Sequence, residues 1–93
     1  MANFLYLAEF KRLSHEGTFP IGLLKSHRIE ITEAGKLFPL SDECRVIVVS
    51  ADADIQWQTD AEEVEEKDCR VLYARQEKTY LIQGKAFAFF AKQ

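Results

Sequence analysis

Residues Cys44–Gln58, "CRVIVVSADADIQWQ", decide how this chain folds. Arg45 to Ser50 carries a run of β-branched residues, with Val46 and Val48 on one face of a strand and Ile47 and Val49 on the other. A strand that is apolar on both faces belongs in the middle of a fold or against a partner. Beyond Asp52 the pattern changes. Ile55 and Trp57 point inward while Asp54, Gln56 and Gln58 point outward, the alternation of a half-buried strand. The stretch reads as strand, corner, strand. It raises one chemical question: whether Asp52 and Asp54 converge on a cation or an acid–base task, or only shape the corner.

The rest of the chain repeats this grammar. Phe4–Phe10 is an aromatic-rich strand with Phe4, Tyr6, Ala8 and Phe10 on one face; the other face begins apolar at Leu5 and Leu7 and becomes polar at Glu9 and Lys11. Ser14 to Thr18 is a turn in which Gly17 supplies the left-handed residue. Pro20 and Pro39 cannot donate to a central ladder, so each marks an edge or a strand end. His27 to Thr32 alternates, with Ile29 and Ile31 inward and Arg28, Glu30 and Thr32 outward. Arg70–Ala74, Lys78–Ile82 and Lys85–Ala91 complete a set of seven or eight short strands separated by turn signals. The polar run between Thr59 and Asp68 cannot be a core strand. Thr59 with Glu62 fits a capping box, so one short helix near 60–67 and an acidic loop are both open there. The expected architecture is all-β: an antiparallel β-sandwich or jelly-roll-like barrel in one domain over residues 1–93.

Length and charge narrow the function. A chain of 93 residues buries only about 60–65% of its unfolded surface, so association is a common supplement to its core. The net charge is −3 and the basic residues are scattered, which argues against direct binding of a nucleic-acid backbone. No apolar run approaches the roughly 18 residues of a membrane span. The N-terminus lacks a basic segment and reaches Glu9 early, a poor secretory signal; the expected location is a cytoplasm. Cys44 and Cys69 each open an apolar run with no Cys or His at zinc-ligand spacing, and are read as free thiols.

Candidate chemistry is sparse. Asp52 and Asp54 share a strand face but lack the glycine and trailing glutamate of a calcium loop, so the corner reading is preferred. His15 and His27 have no nucleophile in a recognisable setting. Trp57, flanked by Gln56 and Gln58, offers a stacking surface for a sugar or peptide, although its inward register beside Ile55 favours the core. No cofactor is implied. The last strand carries Phe87 and Phe89 on one face and Phe90 on the other, and so needs cover on both sides. Phe4, Tyr6, Phe87, Phe89 and Phe90 are therefore expected to pack or to contact a neighbour; their pattern does not divide them between core and interface.

Taken in order, "FLYLAEF" (4–10), "TFPIGLL" (18–24), "CRVIVVSADADIQWQ" (44–58) and "CRVLYARQEKTYLIQGKAFAFF" (69–90) resemble the small virion accessory proteins of tailed bacteriophages and their prophages. Arg45, Val46 and Val48 match that family's first central strand, and Ala51, Asp52, Ala53 and Asp54 its corner. Ile55 and Trp57 match the strand that follows, Leu72 and Ala74 a later pair, and Gly84 the glycine before the closing strand. Gln58 stands where the family often has glycine, and Asp60–Asp68 falls where it has a variable loop. The resemblance implies a β-sandwich without enzymatic activity, a capsid-decoration, head–tail or tail accessory subunit. Its partners would be copies of itself and other virion proteins, met first in the host cytoplasm and then in the particle. The alternative from the residues alone is a small ligand- or peptide-binding β module; an acidic enzyme site at Asp52 and Asp54 is the third.

Overall fold

The computed structural model describes residues 2–32, 36–59, 70–82 and 86–91. Every regular element among them is a β-strand: β1 (Phe4–Leu13), β2 (Pro20–Glu30), β3 (Lys36–Pro39), β4 (Val46–Ala51), β5 (Ile55–Thr59), β6 (Arg70–Leu72), β7 (Glu77–Leu81) and β8 (Ala86–Ala91). The all-β expectation therefore holds. The short helix considered near 60–67 lies outside the described residues, as does Cys69.

The strands form two antiparallel four-stranded sheets, ordered β2-β1-β4-β7 and β3-β8-β5-β6. The chain changes sheet after β2, β3, β4, β6 and β7, so the corners between strands also tie the sheets together. One core draws on both: Leu5, Leu7, Ile29, Ile47 and Val49 from the first sheet meet Ile55, Trp57, Leu72, Phe87 and Phe89 from the second. β4 is flanked by β1 and β7, the central position its two apolar faces call for. β2 and β3, which hold Pro20 and Pro39, are both edge strands.

Two local features set the long β1–β2 hairpin. Its turn is closed by Ser14, whose Oγ accepts from the Thr18 and Phe19 N–H groups at 3.1 and 3.3 Å, with Gly17 at φ 74°. A register shift follows, in which Glu9 pairs with Lys25 and Phe10 with Leu23. Leu24 is the extra residue of this β-bulge and packs against the core, while Leu23 faces out. Gly22 sits just beyond at φ 78°, where an added Cβ would come within 3.1 Å of the Lys11 Cβ. The bulge joins two segments that read separately in the sequence into one strand of 11 residues.

The inward face of β1 is the odd one. Leu5, Leu7 and Glu9 are enclosed at 0, 1 and 1% exposure, and the aromatic face of Phe4, Tyr6 and Phe10 lies outside. An apolar-to-polar change along the odd positions pointed to a solvent face beyond Leu7. A buried partner for Glu9, described below, is the reason that inference fails.

Candidate functional site

The Asp-Ala-Asp corner is a set of stitches. The Asp52 Oδ2 accepts from the Phe4 N–H at 3.2 Å and from the Tyr6 hydroxyl at 3.4 Å, while the Asp52 N–H donates to the Phe4 carbonyl at 2.9 Å. The Asp54 Oδ1 accepts from the Ala74 N–H at 2.8 Å, and the Arg75 N–H donates to the Ala51 carbonyl at 2.9 Å. The two carboxylates thus serve different elements: Asp52 holds β1, and Asp54 holds the turn between β6 and β7. Their bonds reach across 48 and 20 residues of chain, so the corner is tertiary and not the local Asx-type structure that short polar side chains often make. Among the described residues, no three His, Cys, Asp or Glu side chains gather as a metal site.

Trp57 is 1% exposed. It stacks on Phe87 at a centroid separation of 5.6 Å and 17°, and it meets Tyr80 of the opposite sheet at 4.1 Å. The Arg70 guanidinium lies 5.4 Å from its ring centroid. A ligand therefore has no path to the indole, which corrects the stacking-platform expectation: the inward register of β5 places the ring in the core. Burial raises the Tyr80 hydroxyl above its ordinary pKa, with Arg70 opposing. Phe87 and Phe89, at 0 and 1% exposure, are enclosed as well and leave the set of contact candidates. Phe4 is half-buried beneath the Arg28 guanidinium at 3.9 Å, and Tyr6 is 39% exposed. Phe90 pairs with Gln56 in β8, and its side chain lies outside the described set.

No residue pattern along the chain points to the buried polar cluster at the other end of the core. Glu9 accepts from the Ser41 N–H at 2.6 Å through Oε1, and its Oε2 stands 2.5 Å from His27 Nε2. Burial pushes this carboxyl up, but the hydrogen bonds from His27 and Ser41, with the His27 charge, outweigh it and hold the group below its ordinary value. The carboxylate is thus the acceptor and the ring nitrogen the donor. Phe38 of β3 packs edge-on against the His27 ring at 4.7 Å. Cys44 lies nearby, fully buried, with its Sγ 3.5 Å from the Val46 carbonyl. Burial first, and then the Glu9 charge, raise the thiol pKa. That is the reverse of what activates a cysteine nucleophile, so the cluster fastens the sheets together and does not present a reactive thiol.

Tyr6, Leu23 and Leu81 are exposed on the outer face of the β2-β1-β4-β7 sheet, and Phe19, Leu37 and Tyr73 are exposed elsewhere. Directly paired residues share a face, so the ladders read as rows across all four strands. One row is Arg28, Tyr6, Ser50 and Glu77; the next is Ser26, Ala8, Val48 and Thr79; the third is Leu23, Phe10, Val46 and Leu81. Leu23 and Leu81 are 60 and 70% exposed. Between the first two rows lies an open hollow of about 210 Å³, floored by Ala8, Ser26, Val48 and Ser50 and flanked by Tyr6 and Glu77. The sequence predicted the apolar outer side of β4 and the aromatic side of β1, but not the opposed charges at the row's ends.

Comparison of the chain with protein-family models, curated proteins and solved structures gave no match.

Proposed function

We propose that this chain is a non-enzymatic structural or assembly subunit of a phage or prophage particle, and that it works through the outer face of its β2-β1-β4-β7 sheet. The observation that carries this reading is the pair Leu23 and Leu81, two leucines 60 and 70% exposed at the two edges of the sheet, in a row whose middle members are the half-buried Phe10 and the fully buried Val46. Covering a large apolar side chain contributes roughly 1.5–3 kcal/mol, and large apolar side chains left wet on one face are characteristic of a contact surface. The same reading takes the two sheets as the layers of a β-sandwich, with Asp52 and Asp54 as corner residues, in keeping with the resemblance of the chain to virion accessory proteins.

The ligand-binding alternative has less to rest on. Trp57 is enclosed; the hollow beside Tyr6 holds about 210 Å³, and one of about 350 Å³, lined by Ser14, His15, Glu16, Phe19 and Ile21, includes none of Gln56, Trp57 and Gln58, the residues on which that alternative is built. The test is direct. Prophages of the organism that encodes the chain are induced, particles are purified on a density gradient, and their proteins are identified by peptide mass spectrometry. The chain is expected in the particle fraction in stoichiometric amount. Its recovery only outside the particles would overturn the reading.

A further inference from the structure

The three rows of the outer face are complementary to themselves under one symmetry operation. A two-fold axis parallel to the strands, lying over the gap between β1 and β4, sets β2 opposite β7 of a second copy and β1 opposite its β4, while every residue keeps its level along the strand. Arg28 then faces Glu77 of the second copy, Tyr6 faces Ser50, and Leu23 faces Leu81; Phe10 lies level with Val46, which is already buried within its own chain. Cation meets anion, leucine meets leucine, and the Tyr6 ring meets the smaller Ser50. The middle row, Ser26, Ala8, Val48 and Thr79, is short enough to let the sheets approach.

The other in-plane two-fold, perpendicular to the strands, reverses the order of the rows. It lays Arg28 and Glu77 on the apolar row and leaves both charges covered without partners, which is strongly unfavourable. From this asymmetry we infer that the face binds a second copy of the same chain, sheet on sheet, in an isologous pair with strands aligned to within the usual twist of about 30°. The inference rests on reading this face as the contact surface and adds what covers it and in which orientation. The Arg28 guanidinium, held over the Phe4 ring on the same face, is already positioned for the partner's carboxylate.

The experiment is a charge exchange read by mass. Sedimentation or light scattering over a concentration series should give wild type at twice the 10.7 kDa chain mass. Leu81→Asp should be monomeric. Arg28→Glu and Glu77→Arg should each weaken the pair about tenfold or more, and the double exchange should recover most of that loss. Circular dichroism and the thermal transition of each variant confirm that the chain is folded; Leu81 is 70% exposed, so its change leaves the core untouched. A wild-type monomer throughout the series, a dimer that tolerates Leu81→Asp, or a double exchange no better than the single ones would each overturn the proposed pairing. A monomer that nevertheless co-purifies with particles overturns the pairing alone, whereas a charge-dependent dimer absent from particles upholds the pairing and removes the particle assignment.

Discussion

Glu9 and His27 meet inside the fold as diagonal neighbours across the β1–β2 ladder, with carboxylate oxygen and ring nitrogen 2.5 Å apart and Glu9 only 1% exposed. Through its second oxygen the same carboxylate holds Ser41, in the passage from β3 of one sheet to β4 of the other. Glu9 therefore ties the two sheets together. Replacing it with alanine leaves the Ser41 N–H without its acceptor and should destabilise the fold by about 1–3 kcal/mol in urea denaturation.

The pH dependence follows from the same carboxyl. Its folded pKa lies below the ordinary 4.5, although burial alone would raise it, because the His27 and Ser41 hydrogen bonds favour the ionised form. A depressed acid contributes stability that is complete above its unfolded pKa and is lost as the pH falls through the folded one. The gap in stability between wild type and Glu9→Gln should thus be widest at neutral pH and should shrink below about 4.5. A gap that stays constant into acid would contradict this account.

Arg75 is the one non-glycine residue described at positive φ, 67°, in the turn whose Gln76 N–H donates to the Tyr73 carbonyl at 3.1 Å. A side chain in the left-handed region costs about 1–2 kcal/mol, part of which glycine returns as unfolded-state entropy. Arg75→Gly should leave stability unchanged or raise it by up to about 1 kcal/mol, while Arg75→Val should lower it. Thermal denaturation of the two variants, with opposite signs expected, checks the point.

Trp57 is buried with its Nε1 lacking a hydrogen-bond partner among the described residues. Removing the indole nitrogen therefore forfeits no hydrogen bond to a described residue. Trp57→Phe should cost less than about 2 kcal/mol, whereas Trp57→Ala opens a cavity and should cost about 3–5 kcal/mol. Wild-type tryptophan emission should be blue-shifted and protected from iodide.

Cys44 is enclosed, and burial and the Glu9 charge both hold it as the thiol. In a Cys69→Ser background, alkylation by iodoacetamide should be slow in buffer and should accelerate with the fraction unfolded in denaturant. Fast labelling of the native chain would show a thiol far more accessible than the fold permits.

The strands were legible because alternation reports one face at a time. Ile55 and Trp57, Ile29 and Ile31, and Phe87 and Phe89 all announce their inward register, and Pro20 and Pro39 announce edges. The apolar pair of faces on β4 announced a central strand. Glu9 misleads for the same reason: a carboxylate at an alternating position signals solvent unless another segment supplies donors, and His27 and Ser41 stand 18 and 32 residues away. The corner reading of Asp52 and Asp54 takes their side chains to bond the local backbone, whereas they hold Phe4 and Ala74, 48 and 20 residues away.

From its sequence alone the chain is committed to pleated strands, their turns and most of their inward faces, since those follow from side-chain period and backbone stereochemistry within a few residues. Only the tertiary structure decided which polar groups are buried and which rows of residues lie side by side. Both depend on ladders between segments distant in the chain, and the energy of a carboxylate is set by the donors those ladders bring to it.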